Sequence, residues 1–335
     1  MSPYSRAMDT RNAARIGRDL SVIGLGTWQL GADWGDVSEA DARAVLDASV
    51  AEGVTVFDTA DVYGDGRSEQ IIGGYLADNP GLDILVATKM GRRGEQDPAN
   101  FTLAKFREWT DRSRSNLRVD TLDLVQLHCP PSAVFSTDAV YDALDILVTE
   151  GAIARYGVSV ERVDEALAAI ARPGTASVQI ILNAFRLKPL ERVLPAAIEA
   201  GVAVITRVPL ASGLLSGKYT RETTFAANDH RTFNRNGDAF DVGETFSGVD
   251  FEQGVAAAQE FSALATSAGL TPSVAALAWL AQLDGVTTVI PGARSVEQAE
   301  ANASAGSVPA LPEAFSAGVA DIYDRYFRQA VHGRW

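Results

Sequence analysis

Residues 53–59 read GVTVFDT, and the chain continues as ADVYGDG to residue 66. The first stretch is apolar on both faces, which is typical of a parallel strand buried on both sides. It ends near Asp58, and Tyr63 follows five residues later among small, turn-forming residues. A buried carboxylate is costly unless it has a partner or a function. The segment therefore predicts a buried strand whose end carries functional side chains.

Seven further apolar runs share this pattern, and segments of helical period separate them. The predicted strands cover residues 20–26, 53–59, 83–89, 122–128, 153–159, 177–182, 202–207 and 286–291. The first helical segment begins with Ser38 as a predicted N-cap and closes with Gly53 as a C-cap. Eight successive β-then-α units favour a closed barrel over a doubly wound open sheet. We therefore predict an α/β fold, a TIM (β/α)8 barrel, as a single domain over residues 1–335 with the barrel core at 15–305.

One segment interrupts the alternation after the seventh predicted strand. Residues 219–250 lack periodicity and allow two interpretations, a disordered surface loop or a lid over the C-terminal face, where barrel enzymes carry their active sites. The phenylalanines of this insert favour contact with another group; they are Phe225, Phe233, Phe240 and Phe246. The C-terminal tail, residues 306–335, either folds over the barrel or extends from it.

Composition restricts the function. The 335 residues are 47% hydrophobic and 21% charged, as in globular proteins, and the sequence shows no apolar run long enough to cross a membrane. A net charge of −14 disfavours binding to nucleic acid or anionic lipid. Cys129 is the only cysteine and the three histidines lack metal-site spacing, so we expect neither a disulfide nor a catalytic metal. A cytoplasmic monomer is the simplest expectation.

The ends of the predicted strands are unusually polar. In a barrel these ends together form the catalytic face. The residues are Asp58, Lys89, His128, Ser159, Gln179 and Arg207. Each has an ordinary structural interpretation when taken singly, such as a helix cap or a satisfied core histidine. Their occurrence on successive strands indicates an active site.

Physical chemistry suggests roles for three of these side chains and for the nearby Tyr63. A tyrosine has a reference pKa near ~10, and a nearby ammonium lowers it. Lys89 can supply that ammonium to Tyr63, while Asp58 keeps the lysine charged and in place. His128 can donate a hydrogen bond to a substrate oxygen or relay a proton. The set predicts a general acid directed at a carbonyl oxygen, without a nucleophile or a metal.

The sequence resembles the aldo-keto reductases from residue 15 to about residue 305. The matching motifs are LGTWQLG, VFDTADVYGDGRSE, VATKMG, LDLVQLH, YGVS, VPLASGLLSGKY and VIPGARSVEQAEAN. Within this family, the short IPGAR motif is similar to that of one branch. This branch includes bacterial general-stress and inositol-related reductases and the potassium-channel β subunits. The resemblance implies that the family's catalytic tetrad falls on Asp58, Tyr63, Lys89 and His128.

The resemblance also implies that NADPH lies extended across the barrel mouth without a Rossmann fold. GLGTWQLG fails the dinucleotide fingerprint because Gln29 stands at the third glycine. Arg294 is expected at the 2′-phosphate, which favours NADPH over NADH. The implied cofactor residues are Gly26, Thr27, Trp28, Asp58, Ser159, Gln179, Arg207, Pro209, Leu210, Ser212, Gly213, Leu214, Ser216, Lys218, Gly292, Arg294, Gln298 and Asn302. Among them, Ser159 and Gln179 are expected at the nicotinamide carboxamide.

Two positions depart from the family pattern. Val160 replaces the usual asparagine after the YGVS serine, so one hydrogen bond to the carboxamide is missing or comes from elsewhere. Arg207 replaces the aromatic residue that stacks on the nicotinamide. We hypothesise that Arg207 stacks on or borders this ring and weakens the binding of NADP⁺ relative to that of NADPH. Alternatively, it points to solvent or to a substrate oxygen.

Three activities fit this sequence. The first is NADPH-dependent, reversible reduction of an aldehyde, ketone or keto-sugar, with Tyr63 as the proton donor. The second is a slow-turnover, redox-sensing subunit that binds NADPH, and the third is a Schiff-base enzyme with Lys89 as nucleophile. We expect a small carbonyl or polyol substrate. The predicted substrate residues are Trp28, Trp34, Tyr63 and His128, with Phe233, His230 or Arg231 from the insert.

Overall fold

The computed structural model describes residues 7–31, 37–227 and 229–335. Strands and helices alternate through these ranges. The strands are β1 Thr10–Ala13, β2 Arg18–Ser21, β3 Leu25–Gly26, β4 Val56–Asp58, β5 Leu85–Met90, β6 Leu122–His128, β7 Ile153–Ser159, β8 Thr175–Ile181, β9 Ala203–Arg207 and β10 Thr288–Val289. The helices are α1 Glu39–Ala51, α2 Arg67–Asp78, α3 Leu103–Leu117, α4 Asp138–Thr149, α5 Val163–Ile170, α6 Pro189–Ala200, α7 His230–Phe233, α8 Phe251–Ser267, α9 Pro272–Gln282, α10 Val296–Ser304, α11 Glu313–Tyr326 and α12 Arg328–Val331.

Strands β3 to β10 form a closed parallel barrel. They pair in chain order across the described sheet. Parallel bridges from Ile23 to Val289 and from Gly26 to Gly292 join the first and last strands. The predicted TIM (β/α)8 architecture is therefore confirmed. The closed ring brings the carboxyl ends of all these strands to one face.

The first predicted strand, residues 20–26, is wrong at its N-terminal end. Arg18–Ser21 pairs antiparallel with Thr10–Ala13 in a hairpin, and the barrel strand is Leu25–Gly26. The hairpin covers the bottom of the barrel. Its apolar side chains share one core with barrel-interior residues; the hairpin members are Ala13, Ile16 and Leu20. The run is continuously apolar because hairpin and strand both face this core, and periodicity cannot separate them.

The helices surround the barrel and bury their apolar faces against it. Ser38 caps α1 as predicted, since its hydroxyl accepts the Asp41 amide at 3.1 Å. Gly53 follows the C-cap residue with a positive φ of 89°, a conformation that favours glycine. In the described ranges, no single helix is long and apolar enough to cross a membrane, although the bent pair α8 and α9 meets the length and composition test jointly.

The insert and the tail both pack on the barrel. The insert contains α7 and short turns at Val242–Glu244 and Phe246–Gly248. The tail contains α11 and α12 and ends at Trp335, which is buried. The Trp335 ring lies 3.9 Å from the guanidinium carbon of Arg186. A Cβ atom built at Gly248 would be 2.4 Å from the same indole, so the tail supports the insert directly.

Trp335→Ala is expected to destabilise the protein by about 3 kcal/mol, because a buried indole leaves a cavity and uncovers Arg186. Denaturant unfolding of the wild type and the variant measures this difference. Phe233→Ala is the control, since Phe233 is 44% exposed and its loss should change stability by less than about 0.5 kcal/mol. Equal stability of the wild type and Trp335→Ala would show that the tail does not support the fold.

Candidate active site

A cavity of about 700 Å³ opens at the carboxyl ends of the barrel strands. Most of the residues predicted from the sequence line it. They are Gly26, Thr27, Trp28, Asp58, Tyr63, His128, Gln179, Arg207, Pro209, Leu210, Ser212, Gly213, Ser216, Lys218, Gly292, Arg294, Gln298 and Asn302. Lys89, Ser159 and Leu214 are fully buried behind the wall, and Trp34 lies outside the described residues.

The buried ammonium of Lys89 links the acid and the tyrosine. Its Nζ lies 2.6 Å from Asp58 Oδ1 and 3.3 Å from Tyr63 Oη, and it donates to the Thr59 carbonyl at 2.8 Å. Lys89 is 1% exposed and Asp58 3% exposed. The Tyr63 and His128 rings meet edge to face at 6.0 Å. The four predicted catalytic side chains therefore form one cluster, three of whose members line the cavity.

Burial dominates the protonation of this cluster. Burial raises the pKa of Tyr63, and Lys89 opposes this without reversing it, so the prediction of a lowered tyrosine pKa is wrong in its net direction. For Lys89, burial alone would lower the pKa, but Asp58 and Tyr63 raise it above its usual value. Burial and nearby cations hold the pKa of His128 well below its usual value. At neutral pH the cluster thus contains a protonated tyrosine, an ammonium and a neutral imidazole.

Two amides hold the other oxygen of Asp58. Gln179 Nε2 donates to Asp58 Oδ2 at 2.7 Å, and Gln126 Nε2 reaches it at 3.4 Å. We expected Gln179 to bind the nicotinamide carboxamide. Its side chain faces the cavity, and it also donates to Asp58. The Ser159 hydroxyl lies 3.4 Å from Cys129 Sγ and does not reach the cavity wall. Only Gln179 of this predicted pair is thus placed at the cavity surface.

The segment after β9 has an unusual backbone. Positive φ angles occur at Val208 (52°), Ala211 (48°), Ser212 (54°) and Gly213 (98°). Leu210, with φ −101° and ψ 14°, is followed by the left-handed Ala211. Such an alternation turns successive backbone amides towards a common point, which is an arrangement that binds anions. A Cβ atom at Gly213 would lie 2.2 Å from Tyr219 Oη, so only glycine fits there. Leu214 packs its side chain into the core and can offer only its backbone.

The insert is bonded to this segment. Ser212 Oγ donates to the Glu244 carbonyl and accepts the Phe246 amide, each at 3.0 Å. Tyr219 Oη donates to the Ser212 carbonyl at 3.3 Å and accepts from Arg231. These bonds place the insert along one side of the cavity, as a lid would lie.

The far end of the cavity is basic and closely packed. Lys218 and Arg294 are exposed side chains on its wall. Gln298 Oε1 accepts the Arg294 amide at 2.9 Å, and Asn302 Nδ2 donates to the Gly292 carbonyl at 3.1 Å. A Cβ atom at Gly292 would lie 2.2 Å from Gln29 Oε1, so a larger residue there would have to displace the end of the Gln29 side chain.

An unpredicted network of charges lies beside His128. Arg207 Nη2 is 2.8 Å from Glu161 Oε1, and Arg207 Nη1 is 3.5 Å from Glu244 Oε1. Arg92 Nη2 reaches the same Glu244 oxygen at 3.1 Å and Glu161 at 3.6 Å. Two arginines therefore alternate with two glutamates in this network, and Arg207 and Glu244 among them line the cavity. Arg207 is 8% exposed, which excludes the alternative that it points to solvent.

The pKa values of the two glutamates of this network are shifted in opposite directions. Burial would raise the pKa of Glu244, but Arg92 and Arg207 outweigh it and hold the pKa well below its usual range. Burial raises the pKa of Glu161 against the opposing effect of Arg207. Cys129 lies close enough to both carboxylates for a shared metal ion. The guanidinium groups already bound to these carboxylates would compete with such an ion.

An aromatic cluster surrounds Trp28, and its members Trp28, Tyr63 and His230 line the cavity. The Trp28 ring stacks on Tyr63 at 6.0 Å and contacts the rings of His230 at 5.6 Å and Phe240 at 6.1 Å. His230 and Arg231 line the cavity, as expected of insert residues. Phe233 does not, because its ring faces solvent.

Sequence reasoning missed Glu244 as a cavity residue, and it missed Arg92 and Glu161, which pair with the cavity residues Glu244 and Arg207. Arg92 and Glu161 each follow a strand-end residue, Lys89 and Ser159, by two or three positions, and this spacing could have indicated them. Glu244 carries no such signal, since it lies in an insert without periodicity and reaches the cavity only through the fold.

Comparison with known proteins agrees with this geometry. The model of the aldo/keto reductase family matches residues 22–324. An uncharacterised oxidoreductase of Mycobacterium tuberculosis is 33% identical over 300 residues, which cover 86% of this chain and 85% of that protein. The glycerol dehydrogenase of Gluconobacter oxydans has the same fold, with a TM-score of 0.78, 31% identity, and coverage of 95% and 96%.

A third similarity concerns the fold alone. An aldo-keto reductase of Klebsiella pneumoniae, solved with NADPH, is 23% identical, with a TM-score of 0.68 and coverage of 96% of this chain and 95% of that one.

Proposed function

The chain belongs to the aldo/keto reductase family, and from this membership we propose that it catalyses the NADPH-dependent, reversible reduction of an aldehyde, ketone or keto-sugar to an alcohol. The contact of the buried Lys89 ammonium with both Asp58 and Tyr63 carries the proposal. This contact lies at one end of a cavity whose other end is basic. The protein is proposed to act as a soluble, cytoplasmic monomer.

The cavity residues fit NADPH. The left-handed backbone around Ser212 and Gly213 suits a pyrophosphate, and Lys218 adds a cation. Arg294 at the start of α10 suits the 2′-phosphate, while Gln298 and Asn302 suit the adenine side. Gln179 and Arg207 border the nicotinamide end. The bound cofactor would supply a hydride to the carbonyl carbon.

The protein's own contribution is proton transfer and orientation. Tyr63 gives its hydroxyl proton to the carbonyl oxygen, and its raised pKa keeps that proton in place at neutral pH until the oxygen becomes basic. Neutral His128 donates a hydrogen bond to the same oxygen. Lys89 stabilises the tyrosinate that forms, and Asp58 fixes the lysine. The reverse direction uses the same groups with the proton returning to Tyr63.

Loss of NADPH absorbance in the near ultraviolet tests this function. Aldehydes and keto-sugars are supplied with NADPH, and polyols with NADP⁺. Turnover with any of them supports the proposal. Tight NADPH binding without turnover would instead favour the slow redox-sensing subunit. Absence of NADPH binding would contradict both.

Arg207→Tyr tests the hypothesis about the nicotinamide end. Removing a cation beside the ring should strengthen the binding of NADP⁺ relative to that of NADPH by about two- to fivefold. The effect is modest because Glu161 and Glu244 already offset much of the arginine charge. Fluorescence titration of both cofactors measures the ratio of their dissociation constants. Lys188→Tyr, in the turn before α6 and away from the cavity, is the control. An unchanged ratio in Arg207→Tyr would contradict the hypothesis.

A further inference from the structure

Two members of the charged network, Glu244 and Arg207, line the cavity. Glu244 lines the same cavity as Tyr63 and His128. It is also close enough to Tyr63 for its charge to act on the tyrosine hydroxyl, as the pKa of Tyr63 shows. A carboxylate therefore faces the space where a substrate would meet the proton donor.

The surroundings fix this carboxylate as an acceptor of hydrogen bonds. Arg92 and Arg207 both bind Oε1 of Glu244, whose side chain is 10% exposed. A carboxylate accepts about four hydrogen bonds, so capacity remains after the two guanidinium contacts and the hydrogen bond with Glu161. The backbone of Glu244 is held as well, through Ser212. The group is thus ionised and positioned before a substrate arrives.

The same contacts argue against an anionic substrate at this end. Arg92 Nη2 and both Nη atoms of Arg207 already contact carboxyl oxygens of Glu161 and Glu244, so these donors are engaged before a substrate arrives. Trp28, which stacks on Tyr63, adds an aromatic surface to the cavity and suits the apolar face of a small carbon chain. A neutral molecule with hydroxyl groups on one side fits both the aromatic surface and the carboxylate.

We propose that Glu244 determines substrate specificity by accepting a hydrogen bond from a hydroxyl group of a small hydroxy aldehyde or hydroxy ketone. The inference rests on the proposed carbonyl reduction and adds the class of substrate. A deoxy analogue leaves the desolvated carboxylate without this partner. Hydrogen bonds to charged groups are strong, so discrimination of about 10- to 100-fold is expected.

A matched pair of substrates tests the proposal in the wild type. Glyceraldehyde and propanal have the same carbon chain and differ in two hydroxyl groups. At saturating NADPH, kcat/KM for glyceraldehyde should exceed that for propanal by at least about tenfold. Equal values, or a preference for propanal, would overturn the proposal. This comparison needs no variant and so does not depend on the folding of one.

The variant Glu244→Gln then tests whether Glu244 is the residue that binds the substrate hydroxyl group. It should lower kcat/KM for glyceraldehyde by about tenfold or more, mainly through KM, and leave propanal within about twofold. Asp238→Asn, an exposed carboxylate of the same insert, is the matched control and should change neither value. Equal losses on both substrates, or no loss on either, would overturn the role of Glu244.

Cofactor titration separates this inference from the function on which it rests. If the wild type binds NADPH and reduces both aldehydes without preference, only the inference fails. If it binds no NADPH or reduces neither aldehyde, nor any other carbonyl, the proposed function fails.

Discussion

Replacement of Tyr63 by phenylalanine is expected to lower kcat by about 10²- to 10⁴-fold while NADPH still binds. The change removes one hydroxyl and keeps the ring that stacks on Trp28. Without this proton donor, the developing alkoxide is left to solvent. Lys89 cannot replace it, since its ammonium is held by Asp58 and by the Thr59 carbonyl.

The measurement combines steady-state kinetics with NADPH titration of the same preparation. Tyr156→Phe is the control, because Tyr156 is another buried tyrosine whose hydroxyl, bonded to Asp145 at 2.8 Å, lies away from the cavity. That variant should keep its turnover. Full activity of Tyr63→Phe would show that another group donates the proton. Loss of NADPH binding in Tyr63→Phe would show that the hydroxyl serves the cofactor instead.

Replacement of Lys89 by methionine is expected to destabilise the fold and to stop turnover. Methionine has a similar length but no charge, so Asp58 keeps only its amide partners, Gln179 and Gln126. Removing one member of a buried ion pair costs about 3–5 kcal/mol, because the remaining charge stays out of water. Because the two amides still stabilise the Asp58 carboxylate, we expect the loss of unfolding free energy to lie near the lower limit, at about 3 kcal/mol.

Denaturant unfolding at neutral pH measures this cost. Lys105→Met is the matched control, since Lys105 forms an exposed pair with Glu108 at 2.8 Å. Exposed pairs contribute about 0–1 kcal/mol. If both variants lose the same stability, the buried pair does not stabilise the barrel, and Lys89 would serve catalysis alone.

Much of the fold was predictable because its signals are local. Apolar runs such as residues 53–59 mark barrel strands whose neighbours in sequence are also neighbours in space. The strand ends indicated the candidate site as well. The parallel register aligns His128 with Ser159, and Ser159 with Gln179, so residues at similar strand positions meet at one face.

The predictions were wrong where burial determines a pKa or where long-range contacts determine the secondary structure. Burial at the centre of the site outweighs Lys89 and raises the pKa of Tyr63, although the residue types alone indicated the opposite. The segment before β3 became half of a hairpin because Leu20 packs against the barrel interior. Neither the depth of a group nor the far partner of an apolar run can be read from a local pattern.

The sequence by itself determined the barrel, the positions of Asp58, Tyr63, Lys89 and His128, and the family that these residues indicate. These features depend on strand periodicity and on the order of motifs along the chain. Only the tertiary structure decided the surroundings of Arg207, the packing of the tail on the insert, and the approach of Glu244 to the cavity. Glu244 and Arg92 are 152 residues apart in sequence, and the closed barrel with its folded insert brings their side chains to 3.1 Å.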